Sequence, residues 1–303
     1  MSVKADSIRP ILYALFANLS IAIAKGFAAF WTGSSAMLAE AIHSLVDSSN
    51  QLLLLFGLKQ SRRPADSDYP LGHGKSIFFW SFLVAVILFS LGGMFSIYEG
   101  IHKFSSPEPL TKPMIAVGVL IFAIIAESIS LWGCMQAVNK ERVGRSIPRW
   151  FRESRSSELL VVFGEDVAAL LGLVIALCAV LAAAITGNPI YDAIGTVIIG
   201  VLLIVIAVLI AVEVKDLLIG QGVEKHLKEE MLKFLSNRPE IEQVYNLLTM
   251  QLGPEVMVAV KVKMKPAGSE DNLLLAINQV EREFREAFPV TRWLFFEPDS
   301  KDN

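Results

Sequence analysis

Apolar residues in this chain come in long unbroken runs, without the alternation or the 3.6-residue stripe of elements that face water, and about 20 such residues make a membrane-spanning helix. Six runs fit, at roughly 11 to 31, 36 to 58, 77 to 101, 113 to 137, 158 to 185 and 190 to 214. Turn-rich breaks separate them at 32 to 35 (TGSS), 105 to 109 (SSPEP) and 186 to 189 (TGNP), while two longer joints, 59 to 76 and 139 to 157, are polar. After Lys215 the pattern changes to that of a water-soluble unit beginning near Gln221, whose first helix carries Leu227, Met231, Leu232 and Leu235 at helical spacing. Strand-type runs at 241 to 251 and 256 to 265 flank a turn holding Gly253 and Pro254. In the second run Val258, Val260, Val262 and Met264 face one way, and Lys261 and Lys263 the other. Ser269 then caps a helix from about 271 to 287, and 290 to 296 forms a last strand.

The pattern predicts an α-helical membrane protein with six transmembrane helices over residues 1–218. A C-terminal cytosolic α+β domain follows over 219–303, ordered α-β-β-α-β as in ferredoxin-like and metallochaperone-like sandwiches. So small a domain buries little core by itself, which favours dimerisation.

Composition agrees with the membrane class: 303 residues are 53% hydrophobic and 19% charged, with a mean hydropathy of +0.53. A net charge of −3 with no basic stripe argues against a nucleic-acid partner. The joint at 59 to 76 holds Lys59, Arg62, Arg63 and Lys75, and that at 139 to 157 holds Lys140, Arg142, Arg145, Arg149, Arg152 and Arg155. The opposite side has only Lys103 and Lys112, so the positive-inside rule puts both termini and both basic joints in the cytoplasm. The N-terminal MSVKADSIRP leads into the first run without a cleavage pattern or transit composition, which reads as a retained span in a bacterial inner membrane. Cys134 and Cys178 both sit in apolar runs and form neither a disulfide framework nor a thiolate metal site.

Candidate chemistry lies in the polar residues within the spans. An ionisable group at membrane depth costs about 2.5 to 3.5 kcal/mol on insertion scales, so it persists where something polar is bound or moved. The first span holds Asn18 and Lys25, the second Glu40, His43, Asp47 and Asn50, the fourth Glu127, and the fifth Glu165 and Asp166. Asp192 opens the sixth, and Glu99 ends the third at the interface. At 100° per residue, Glu40, His43 and Asp47 fall within about 60° of arc and can look into one cavity. Histidine with carboxylates is a ligand set for Zn²⁺, and also for Mn²⁺, Fe²⁺ or Co²⁺. Glu165 and Asp166, about 100° apart, cannot both point squarely at one ion, and the small Ala168, Ala169 and Gly172 permit close helix approach there. Glu127 suits three roles: further ligand, proton carrier, or buried neutral acid.

Four stretches carry a resemblance: GSSAMLAEAIHSLVDSSNQ in the second span, RPADSDYPLGHGK after it, SIYEGIHKF ending the third, and EDVAALLG in the fifth. Together they make the chain resemble the cation diffusion facilitator family of zinc-transporter-type efflux proteins over nearly its whole length. The resemblance implies a homodimer that exchanges a divalent metal for protons. It also implies an intramembrane site built from two residues four apart in the second span and two in the fifth. His43 and Asp47 match the first pair, and Asp166 matches the second member of the other, because Gly172 stands where the family has a glycine. The first member falls on Val162, which cannot ligate, leaving the fourth position to Glu165, Glu127, Glu40 or water. In the joint after the second span, Asp66 and His73 match two ligands of a second family site, but Tyr69 replaces the other histidine, and Asp68 is the neighbouring substitute. The tail reads FFEPD where relatives carry a histidine, with His226 as that domain's single one, which suits dimerisation better than metal sensing.

The expected mechanism is therefore antiport. Metal binding needs deprotonated His43, Asp47 and Asp166, and protons compete for the same groups. A membrane metalloenzyme is the rival from another class, but the chain has no HExxH and no nucleophile pair. A non-transporting metal sensor or scaffold is the third reading, which flux measurements separate.

Overall fold

A computed structural model describes residues 8–32, 35–105 and 113–301, with the side chains of 28, 29, 31–43, 46, 89 and 113 outside the description. The long helices are α1 (Ile8–Thr32), α2 (Ser35–Ser61), α5 (Pro113–Glu141), α7 (Ser157–Thr186) and α8 (Ile190–Ile219). The third apolar run folds as α3 (Ser76–Ile87), a π-helical segment (Leu88–Met94) and α4 (Phe95–Ser105). The basic joint after α5 contains a short helix, α6 (Ile147–Glu153), pinned by the fully buried Trp150.

Among the described residues five helical segments are long and apolar enough to cross a membrane: Ile8–Phe27, Ser76–Ser105, Met114–Glu141, Ser157–Thr186 and Ile190–Ile219. The sixth predicted span, the 27-residue α2, is not among these five, and the side chains of 35–43 and 46 within it lie outside the description. Its Ser44, Ser48, Asn50 and Gln51 are buried, so its polar groups are spent inside the protein. Large exposed side chains such as Phe16, Ile23, Phe27, Ile125, Trp132 and Leu209 cover the outside of the helices, as a lipid-facing surface requires. This is an integral membrane protein.

Two groups of helices pack side by side. One joins α1 to α2 and α5, and α5 to α7; the other joins α3, the π segment and α4 to α8, with α7 touching α8 and α2 touching α3. Glycine sets the spacing of the second group. A Cβ on Gly200 would lie 2.8 Å from the Ile97 amide nitrogen and 2.9 Å from the Gly93 carbonyl, and one on Gly100 would lie 2.9 Å from the Val197 nitrogen. Helices that touch backbone to backbone have only small residues at the seam. The close approach expected beside Gly172 falls elsewhere: a Cβ there meets Ile199 at an ordinary 3.5 Å, whereas at Gly164 it would meet Ile210 at 2.6 Å.

The C-terminal unit has α9 (Lys225–Ser236), β1 (Ile241–Leu252), β2 (Glu255–Met264), α10 (Glu270–Ala287) and β3 (Thr291–Pro298), the order read from the sequence. The sheet runs β1-β2-β3, antiparallel between the first two and parallel between the last two. Alternation in β2 buries Val256, Val258, Val260 and Val262 beneath Met231, Leu235, Val280 and Phe284 of the two helices. Ser269 caps α10 by accepting from the Asn272 amide at 3.2 Å.

This unit is docked on the helical part through backbone. A Cβ on Gly74 would sit 2.1 Å from the Leu252 carbonyl oxygen, and one on Gly253 2.4 Å from that of Gly74, so the joint after α2 rests on the β1–β2 turn. Arg145 pairs with Glu224 at 2.7 Å, and the Arg155 Nε donates to the Gly222 carbonyl at 2.7 Å, fastening the other basic joint to the linker.

Candidate functional site

The cluster of interest lies inside the α1, α2, α5 and α7 bundle. Helical spacing puts Ser44, Asp47, Asn50 and Gln51 on one face of α2, at steps of three or four residues, and Glu127 and Ser130 on one face of α5. From α7 come Glu165 and Asp166, 6% and 2% exposed; Glu127 is 3% exposed. Such burial of three acids is costly unless other groups receive them.

Those partners differ for the two adjacent acids. The Ser130 hydroxyl donates to Asp166, 3.0 Å from Oδ1 and 3.1 Å from Oδ2, and holds that carboxyl against α5. The Asn50 amide donates to Glu165 Oε1 at 3.4 Å and draws that carboxyl toward α2. The pair thus diverges, as their angular separation on the helix requires. Electrostatically the acids form a chain: Asp47 acts on Glu127 and Glu165, and those two in turn act on Asp166. Among the described residues no three His, Cys, Asp or Glu side chains are gathered closely enough to hold one ion. The side chains of His43 and Glu40 lie outside the described residues. Val162, where the resemblance expected a ligand, is fully buried in the apolar core.

Two polar groups in this cluster are left open. Among the described residues, neither amide atom of the fully buried Gln51 nor Glu165 Oε2 makes a hydrogen bond of good geometry, although the two side chains are neighbours. Buried polar atoms without partners are rare in native folds and mark places where water, an ion or a ligand belongs. Carboxylate and amide oxygens are hard donors suited to a divalent cation. Sequence reading missed Ser130, Gln51 and Ser44; the signal was there in their three- and four-residue spacing from Glu127 and Asp47. The contact between Ser130 and Asp166 crosses helices and leaves no trace in spacing.

In the joint after α2, Asp66 and His73 hold each other. The His73 Nε2 lies 2.9 Å from Asp66 Oδ2, while Asp66 Oδ1 accepts from the backbone amides of Asp68 (3.0 Å) and Tyr69 (2.8 Å). Tyr69 lies over the His73 ring, centroids 4.3 Å apart. Hydrogen bonding from His73 first, and from the Tyr69 amide next, holds the Asp66 carboxyl below the usual carboxylate range. A depressed acid stabilises the folded turn above its unfolded pKa, and that contribution fades as the pH falls through the folded value. Replacing His73 with alanine should raise the Asp66 midpoint toward the usual carboxylate range, read by carboxyl NMR titration; an unmoved midpoint would show that the backbone amides alone set it.

The family described as the cation efflux transmembrane domain matches residues 11–219. Metal tolerance protein C4 of Arabidopsis thaliana is 34% identical over 249 residues, 81% of this chain and 54% of the relative. The mitochondrial proton-coupled zinc antiporter SLC30A9 of Homo sapiens is 30% identical over 234 residues, covering 76% and 41%. The cation-efflux pump FieF of Yersinia enterocolitica is 26% identical over 271 residues, covering 88% and 84%. The chain thus spans about half the length of the first two relatives and most of the third.

Proposed function

Since the chain belongs to the cation efflux family, we propose that it is a secondary transporter exchanging a divalent metal cation, Zn²⁺ foremost, for protons. The observation that carries this is the meeting of acids from α2, α5 and α7 inside one bundle, beside the open Gln51 amide and Glu165 Oε2. His43, Asp47 and Asp166 are the proposed ligands, the fourth position that Val162 cannot fill falls to Glu165, Glu127, Glu40 or water, and Glu127 is the proposed proton carrier. Metal binding expels protons from these groups and protonation expels metal, so one site performs both halves of the exchange. The glycine-tight pairing of α4 with α8 offers the four-helix bundle a firm partner to rock against, exposing the site to each side in turn. Zinc is favoured by the nitrogen donor of His43 and by the zinc antiporter among the relatives; Mn²⁺, Fe²⁺ and Co²⁺ are the competitors.

In the proposed orientation the basic joints, both termini and the C-terminal unit lie on the cytoplasmic side, as the positive-inside rule favours, and a bacterial inner membrane is the proposed location. Asp66 and His73 satisfy each other, so we read their joint as a docking turn rather than a second metal site. The full chain in liposomes with an internal pH reporter tests the central reading. Zn²⁺ addition should drive proton movement, faster than Mn²⁺, Fe²⁺ or Co²⁺; absence of metal-driven flux with all four would refute it.

The proposed assembly is a homodimer through the open sheet face. Leu248, Ala259 and Phe295 form one row across the three strands, and Met250, Met257 and Trp293 the next. Leu248 is 58% and Phe295 52% exposed, an apolar surface that a second copy would cover. Phe295→Glu should convert a cross-linkable dimer into monomer in detergent, and an undiminished dimer yield would locate the interface elsewhere.

A further inference from the structure

The bundle holds one more charged group to which the transport reading gives no role. Lys25, on α1, is only 7% exposed at membrane depth, and its Nζ donates to the Ser44 Oγ at 3.1 Å. Its charge acts on Glu127, and α1 packs against both α2 and α5, the helices that carry Asp47 and Glu127. A buried ammonium beside carboxylates is stabilised by them and offsets part of their mutual repulsion.

Charge counting gives it a purpose. Asp47, Glu127, Glu165 and Asp166, when ionised, carry four negative charges; one divalent cation cancels two and Lys25 a third. Without Lys25 the same cluster would attract a divalent ion much more strongly, because like charges in a low-dielectric interior repel over several ångströms. A transporter must hold its ion firmly enough to load it and weakly enough to let it go, a balance familiar from channels.

On the transport reading above, we infer that Lys25 is a positioning residue, a built-in cation held by Ser44 that weakens metal binding at the carboxylate cluster and so speeds release. It does not ligate the metal. It acts through its charge, held on α1 by Ser44 and felt at Glu127.

The test compares wild type, Lys25→Met and Lys25→Arg of the full chain, with Zn²⁺ alone as probe, by calorimetry in detergent and by flux in liposomes. Lys25→Met should bind Zn²⁺ at least about tenfold more tightly, with a lower KM and a lower kcat. Lys25→Arg, which keeps the charge, should stay within about threefold of wild type. A structural role would lower kcat without tightening binding. Unchanged or weaker Zn²⁺ affinity in Lys25→Met, while wild type binds normally, overturns the inference and leaves the transport reading intact. Wild type that neither binds nor moves Zn²⁺ overturns both. If Lys25→Met does not fold, Lys25→Gln carries the same thresholds.

Discussion

Alanine at Asp47 or at Asp166 is expected to reduce Zn²⁺-driven proton flux in liposomes to the level of empty vesicles, a loss of at least about 100-fold. Each removes a carboxylate from an end of the chain of interacting acids, and Glu165 is held toward Asn50 at 3.4 Å, away from the position left empty. Ser130→Ala should be milder, about tenfold in apparent Zn²⁺ affinity, because it frees the Asp166 carboxyl from the hydroxyl it shares between its two oxygens but leaves the carboxyl in place. This graded order is the informative part. Full transport by either alanine variant would remove that residue from the site, and an equal loss in all three would point to folding rather than ligation.

Gly200→Leu is expected to destabilise the protein by several kcal/mol, at or above the ~1–3 kcal/mol usual for overpacking. The added Cβ would lie 2.7 Å from Ile97 Cγ1, 2.8 Å from the Ile97 amide nitrogen and 2.9 Å from the Gly93 carbonyl oxygen. A side chain can rotate away, but two of these three atoms are backbone, so α4 and α8 themselves have to separate. Gly118→Leu is the control, since a Cβ there meets nothing within 4 Å. Thermal unfolding in detergent should show Gly200→Leu melting well below wild type and Gly118→Leu close to it. Equal midpoints would mean that the seam is looser than its spacing implies.

Much of the fold was legible because each element is dictated by a local pattern. Long apolar runs set the spans, and the valine alternation of β2 set its buried face. Asp47, Glu165 and Asp166 stood out for the physical reason that charge is costly in hydrocarbon. What escaped depends on relations between helices. Ser130 is an ordinary serine in a span until α5 meets α7 and its hydroxyl reaches Asp166. The tight contacts at Gly164 and Gly200 depend on which helix lies opposite, and the chain has twenty glycines to choose from. Sequence also gave α6 no distinct signal, because its seven residues sit in a basic joint and are held by one buried ring, Trp150. The polarity that marked α2 as functional also made it the least apolar of the predicted spans.

The π-helical segment Leu88–Met94 left no mark on the apolar pattern, yet it sets the phase of the whole third span. A π turn amounts to one residue more than an α-helical turn would contain. Taking that residue out would let an unbroken α-helix run from Ser76 to Ser105, with everything beyond it turned by about 100°. Gly100, which now meets the backbone of α8 at Ala193 and Val197, would then face another direction, and a bulkier neighbour would arrive at the seam. The span is therefore indexed like two gears on one shaft: its length tolerates an insertion or deletion in this segment, but its angular setting does not.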